Sequence, residues 1–159
     1  MSVEALAEQL ARSCIARGAT LAVAESCTGG LLGAAVTGVS GASSFFVGGV
    51  IAYANEEKVR ALGVDAGLIA SHGAVSREVA EAMASGCRDR LGTTFALSVT
   101  GIAGPGGGTP DKPVGTVWMA LSSPAGVTAR RLSLTGHDRE GVRRGSVAAA
   151  LGLLLDALG

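Results

Sequence analysis

Ser26 is the residue of this chain best placed to act as a nucleophile. It lies in Thr20-Leu-Ala-Val-Ala-Glu-Ser26-Cys27-Thr28-Gly29-Gly30, which reads as a short buried strand and a polar, glycine-rich turn; an apolar helix follows. Such a turn puts Ser26 at the carboxyl end of the strand and Thr28, Gly29 and Gly30 at the start of the helix. Backbone N–H groups at a helix start have no intrahelical acceptor and can bind an anion or a developing oxyanion. A serine hydroxyl beside such donors suits acyl transfer. The same residues also fit a plain helix cap, in which Ser26 or Thr28 only satisfies backbone donors. Cys27 is the rival nucleophile, because a thiol at a helix start can have a lowered pKa.

A serine nucleophile needs a base. The two histidines are weak candidates: His72 falls in Ala-Ser-His-Gly-Ala, read as a loop, and His137 in Thr-Gly-His-Asp before the last helix. No Asp or Glu stands in a recognisable triad order. Lys58 is sharper. Of 13 basic residues only Lys58 and Lys112 are lysines. A desolvated lysine gives up its proton at useful pH, whereas arginine does not. The competing reading makes Lys58 an exposed helix residue paired with Glu56 or Glu57.

Two further segments could hold an anion. Thr100-Gly101-Ile102-Ala103-Gly104-Pro-Gly-Gly-Gly offers a run of backbone donors in a curve that glycine lets approach a ligand closely. Arg143 and Arg144, early in the last helix, could grip a phosphate. Taken singly, the loop also reads as a flexible connection and the arginines as a solvated face.

The elements that must position these residues follow from periodicity. Residues 3–17 repeat apolar positions at helical spacing (Leu6, Leu10, Ile15) and end at Gly18. A strand is expected over 20–25, a helix over 29–38, a loop over 40–44 and a strand over 46–53. Asn55 is a good cap for a helix over 56–62. Ser76 caps a helix to 91, followed by a strand over 94–100. Two strands over 114–121 and 127–134 are joined by a hairpin through Ser-Ser-Pro-Ala-Gly. A last helix spans 138–158. Helices alternating with the first three strands imply parallel crossovers, and the hairpin adds an antiparallel strand. The fold class is therefore α/β, a three-layer α/β/α sandwich on a mixed five-stranded sheet. Sites in such sheets gather at the carboxyl ends of the parallel strands. The loops at Ser26–Gly30, Tyr53–Lys58 and Thr100–Gly108 would meet there. The second of these loops carries Tyr53 and Asn55.

Composition bounds the rest. A length of 159 residues fits one domain, and 48% hydrophobic with 3% aromatic residues makes Ala, Val and Leu the core builders. A formal net charge of zero argues against nucleic acid as a partner. No apolar run is long enough to span a bilayer, and the N-terminus is acidic rather than a signal peptide. Cys14, Cys27 and Cys87 lack metal-ligand spacing; Cys14 and Cys87 read as small core residues, and a cytoplasmic setting fits.

Together, Ala24–Gly30, Tyr53–Lys58, His72–Ser76, Ser98–Pro105 and Lys112–Trp118 closely resemble the CinA C-terminal domain family, the nicotinamide-nucleotide amidases or NMN deamidases. The resemblance runs through essentially the whole chain in order. It implies hydrolysis of the carboxamide of nicotinamide mononucleotide to nicotinate mononucleotide and ammonia, with Ser26 as nucleophile and Lys58 as base. It also implies substrate contacts from Tyr53, Thr100 and the backbone of Gly101, Ile102, Ala103 and Gly104, and a phosphate contact from the pair Arg143 and Arg144. It implies no cofactor and no metal, and a homodimer built on Ala/Val/Leu helix surfaces. Many relatives carry a separate N-terminal domain, so activities tied to that domain are not expected here. The alternatives are a nucleotide-binding regulatory module without turnover, an amidase for another small carboxamide, and a DNA-associated role.

Overall fold

The computed structural model describes residues 1–159. Its elements are α1 (Val3–Arg17), β1 (Leu21–Glu25), α2 (Leu31–Thr37), β2 (Phe46–Ile51), α3 (Asn55–Leu62), α4 (Ala66–His72), α5 (Arg77–Leu91), β3 (Phe95–Gly101), β4 (Thr116–Ser123), β5 (Gly126–Ser133) and α6 (Arg139–Leu158). The strands form one sheet in the order β2-β1-β3-β4-β5. β1 is parallel to both neighbours, while β3–β4 and β4–β5 are antiparallel. The expected mixed five-stranded sheet between two helical layers is what the chain forms.

Side-chain alternation on β1 explains the layers. Leu21 and Val23 point into a large core with α1, α2 and α6, where Leu10, Leu32, Leu151 and Leu154 are fully buried. Ala22 and Ala24 point the other way, with Ala96 of β3, against Val79, Met83 and Cys87 of α5. Ala80 and Ala84 of the same helix meet Ala120 of β4. Small residues on that face let α5 lie close to the sheet. Gly86 shows how close α5 also comes to α3: a Cβ there would stand 1.8 Å from the carbonyl oxygen of Leu62. Cys14 and Cys87 are buried core residues, as their helical setting suggests.

β1 is where the topology reverses. The connection through α2 leads to β2 on one side, and the connection through α3, α4 and α5 leads to β3 on the other. A crevice at the carboxyl end of a strand flanked this way is the favoured ligand site of open α/β sheets. Ser26 follows the last residue of that strand.

Several boundaries differ from the sequence-based expectation. Residues 66–72 form α4, so His72 ends a helix rather than lying in a loop. Asp65 caps that helix by accepting from Gly67 N, but the glycine just inside its start and its seven-residue length hide the period. Asn55 is not the cap of α3; Ala54 holds that position, and its carbonyl accepts from Glu57 N and Lys58 N. The helix starts one residue early, which frees the Asn55 side chain. Ile15 is half exposed, because the buried stripe of α1 is Ala7, Leu10, Ala11 and Cys14. The β4–β5 strands run on to Ser123 and from Gly126, so the hairpin loop is only Pro124 and Ala125. Large exposed apolar side chains cluster along or just beyond edge strand β2 (Val47, Ile51, Tyr53), with others on α1 (Ile15), α3 (Val59) and β5 (Val127). No helix is long and apolar enough to cross a membrane.

Candidate active site

The turn after β1 is held from below by its own strand. Glu25 is 2% exposed, and its carboxylate accepts from Leu32 N at 2.8 Å and Gly33 N at 2.9 Å. It thereby does for α2 what a capping side chain would do, since the cap position is Gly30. Gly29 and Gly30 take φ of +57° and +108°, a bend few other residues tolerate. Arg143 ties the turn to α6: its Nε donates to the Cys27 carbonyl at 3.2 Å and its Nη2 to the Thr28 carbonyl at 3.0 Å.

Ser26 stands at the top of this turn, 8% exposed. Lys58 is 1% exposed, and its Nζ donates to Ser26 Oγ at 3.0 Å and to the Tyr53 carbonyl at 3.1 Å. The reading of Lys58 as a surface residue paired with Glu56 or Glu57 does not hold: Glu57 pairs with Arg60 instead, and no carboxylate lies within ion-pair distance of Nζ. Burial pushes the Lys58 amine below its ordinary value, with Cys27 and Glu56 opposing the shift. Protonated, Nζ donates to Ser26; deprotonated, its lone pair can accept the serine proton over the same separation.

Cys27 lies beside this pair, yet burial pushes its thiol up to about 11; its own backbone N–H, Arg143 and Lys58 pull the other way and Glu25 adds to the rise. It remains a protonated thiol at neutral pH, the reverse of an activated cysteine.

A pocket of ≈ 290 Å³ opens over the pair. Ser26, Tyr53, Asn55, Lys58, Thr100, Gly101, Ile102, Ala103 and Gly104 all line it, so the three loops do meet. Cys27, Ala74, Val75, Gly106, Gly107 and Arg139 complete the wall. Thr100 Oγ1 donates to the Ala74 carbonyl at 2.9 Å, pinning the segment before α5 against β3. Thr28, Gly29 and Gly30 shape the turn without lining the pocket, and the buried Thr28 Oγ1 has no partner.

The backbone donors sort themselves. Gly29 N is taken by the Ser26 carbonyl and Ile102 N by that of Thr116, while Leu32 and Gly33 serve Glu25. The amides of Cys27, Ala103 and Gly104 take no backbone acceptor and belong to residues that line the pocket. Such unpartnered amides are the donors the pocket wall has left for an anion.

Arg143 and Arg144 are not in the pocket wall; Arg139 is. Its Nη1 donates to the Gly104 carbonyl at 2.7 Å and its Nη2 to Tyr53 Oη at 3.2 Å, so it bridges two of the site loops. The doubled arginine draws the eye in the sequence. The available signal was helical spacing: Arg139 lies four residues before Arg143, on the same face. His72 pairs loosely with Glu78 at 3.6 Å and is absent from the pocket, as is His137.

Against known proteins, the family model of the CinA C-terminal domain matches residues 3–158. A CinA-like protein of Gemmatimonas aurantiaca is 57% identical over 135 residues, covering 85% of this chain and 32% of its own length. One of Myxococcus xanthus is 56% identical over 139 residues, covering 86% and 32%. The chain thus spans about a third of the length of the curated relatives it matches. Among solved structures, the competence/damage inducible protein CihA of Agrobacterium tumefaciens superposes with a TM-score of 0.95 at 39% identity, covering 98% of this chain and 94% of that one. A CinA superfamily protein of Klebsiella pneumoniae gives 0.95 at 36%, covering 99% and 98%.

Proposed function

The chain belongs to the CinA C-terminal domain family, and from that premise we propose that it is a serine–lysine amidohydrolase acting on the carboxamide of nicotinamide mononucleotide. The observation that carries the reading is the buried contact of Lys58 Nζ with Ser26 Oγ at 3.0 Å under an open pocket. The substrate is the one the family resemblance implies. Arg139, in the pocket wall and always charged, is the residue we assign to its phosphate, in place of the Arg143–Arg144 pair.

In the proposed reaction, neutral Lys58 takes the Ser26 proton as Oγ attacks the carboxamide carbon. The oxyanion is assigned to the amides of Cys27, Ala103 and Gly104, a reading supported by their lack of a backbone acceptor. Lys58 returns the proton to the departing nitrogen, and ammonia leaves an acyl ester on Ser26. Water, deprotonated by Lys58, attacks that ester; the ester bond breaks, Lys58 returns the proton to Ser26 Oγ, and nicotinate mononucleotide leaves. Each step moves one proton through one amine, so no further titratable group is required.

Ammonia release from nicotinamide mononucleotide, compared between wild type and Ser26→Ala, tests the reading. Release that disappears with Ser26 supports it. Binding without release in the wild type would instead make the chain a nucleotide-binding module.

A further inference from the structure

We propose that the arginine-lined cleft beside the candidate active site is a subsite for a second phosphate, so that a diphosphate binds more tightly than a single phosphate. The proposal rests on the reading above only in placing the first phosphate at Arg139. The cleft, of ≈ 380 Å³, is lined by Leu31, Arg139, Glu140, Arg143 and Arg144. Arg139 also lines the candidate active-site pocket, so the two spaces share one arginine.

Three arginines within two helical turns line the cleft with a single acidic residue, Glu140, and none of them forms an ion pair. Like charges at i, i+4 and i, i+5 on one helix repel one another, and a bound anion offsets that repulsion. Each arginine keeps donors free. Arg139 spends Nη1 and Nη2 on Gly104 and Tyr53 and retains Nε. Arg143 spends Nε and Nη2 on the Cys27 and Thr28 carbonyls and retains Nη1. Arg144 is exposed, lines the cleft and makes no side-chain hydrogen bond or ion pair. Planar guanidinium forks match phosphate oxygens, and the start of the 20-residue α6 adds partial positive charge on the same side. A single phosphate at Arg139 leaves Arg143 and Arg144 unmatched; a second phosphate, joined to the first, reaches them. The ligand chemistry is a diphosphate, either free or as the bridge of a pyridine dinucleotide whose carboxamide end enters the catalytic pocket.

Calorimetric titration of the full chain with inorganic pyrophosphate and with inorganic phosphate, at low salt, tests this without reference to turnover. One added charge-assisted contact is worth about tenfold or more in affinity. Wild type is expected to hold pyrophosphate at least tenfold more tightly than phosphate. Arg144→Gln should bring pyrophosphate down to the level of phosphate while phosphate itself still binds, which also shows the variant folded. No pyrophosphate binding, equal affinities in wild type, or a preference that survives Arg144→Gln, overturns the subsite. A second arm measures displacement of nicotinamide mononucleotide by a pyridine dinucleotide. Displacement weakened tenfold by Arg144→Gln assigns the diphosphate to the bridge of a dinucleotide. Displacement indifferent to Arg144, with pyrophosphate still responding, assigns it to the free diphosphate. Absence of ammonia release would remove the amidase reading and leave the pyrophosphate result standing.

Discussion

Lys58 Nζ lies 3.0 Å from Ser26 Oγ, although the two residues are 32 apart in the chain and start from different strands. Parallel pairing of β1 with β2 brings the ends of both strands to one edge of the sheet. The Tyr53 carbonyl then fixes the amine from behind at 3.1 Å. The lysine is thus held as a buried amine without an acid beside it, the setting in which a lysine works as a base.

Replacing Lys58 by arginine separates a base from a mere charge. Lys58→Arg keeps the positive charge but cannot accept the Ser26 proton. General-base assistance contributes about 10²- to 10⁴-fold, so kcat should fall by that order with KM little changed. The wild-type rate should rise with pH through an ionisation below the ordinary lysine value of 10.5. Steady-state kinetics on the variant check the first point and a pH–rate profile the second. Near-normal kcat in Lys58→Arg would mean the base lies elsewhere.

Ser26 and Cys27 should respond in opposite ways. Ser26→Ala is expected to abolish ammonia release and leave substrate binding in place. Cys27→Ala should keep most of the activity, because a thiol held up at about 11 is a poor nucleophile at neutral pH. For the same reason iodoacetamide at pH 7 should label native Cys27 slowly. Rapid labelling coupled to inactivation would shift the nucleophile role to the thiol.

Much of this site could be read before the fold was known, and the reason is local. Leu21-Ala-Val-Ala carries the strand, Gly29 and Gly30 carry the bend, and Ser26 sits between them, so order along the chain alone puts the serine at the strand end. Lys58 stood out through the scarcity of lysine. What stayed hidden depends on distant contacts. Glu25 looks like one more strand residue until α2 folds back and offers it the amides of Leu32 and Gly33. Arg139 is marked in sequence only by its helical spacing to Arg143, and its place follows from how α6 docks beside Gly104 and Tyr53. Arg143 looked like a ligand contact, yet the turn it braces occupies two of its donors.

The arginines should therefore separate by kinetic signature. Arg139→Ala is expected to raise KM for the nucleotide about ten- to hundredfold, since a charged hydrogen-bond partner is worth roughly 1.5–3 kcal/mol. The nucleoside, without a phosphate, should hardly respond. Arg143→Ala should lower thermal stability instead, as the Cys27 and Thr28 carbonyls lose their donor. Kinetics with nucleotide and nucleoside, beside melting curves for both variants, make the comparison. Equal loss on nucleoside and nucleotide in Arg139→Ala would sink the phosphate assignment.

Glu25→Gln tests the support beneath the nucleophile. A carboxylate accepts from both amides; a carboxamide accepts from one and turns an N–H toward the other. A buried donor left unpaired costs about 1–3 kcal/mol, and urea unfolding should show a loss of that size. Unchanged stability would mean that the start of α2 holds without this carboxylate.

The last prediction concerns what burying Lys58 costs the fold. Burial lowers its folded value below 10.5, so the unfolded chain binds that proton more readily than the folded one. Below the lowered value the amine is charged in both states and the folded state carries the full penalty. As pH rises from the lowered value towards 10.5, the folded amine is neutral while the unfolded one still holds its proton, so the unfolded state binds more protons and stability rises across that window. Each unit of lowering amounts to about 1.4 kcal/mol. The raised thiols of Cys27 and Cys87 act oppositely above the ordinary thiol value of 9.0, because there the folded state keeps protons that the unfolded state gives up. A difference between two variants that share those thiols largely cancels their effect. Lys58→Met fills similar space with no charge, so it should be at least as stable as wild type near pH 7 despite losing all activity. The gap between them should move in favour of wild type as pH climbs towards 10.5. Urea unfolding of both proteins at intervals from pH 6 to 10.5 gives that gap directly. A gap that stays constant, or moves the other way, would show that Lys58 is not held below its ordinary value and would remove the ground for calling it the base.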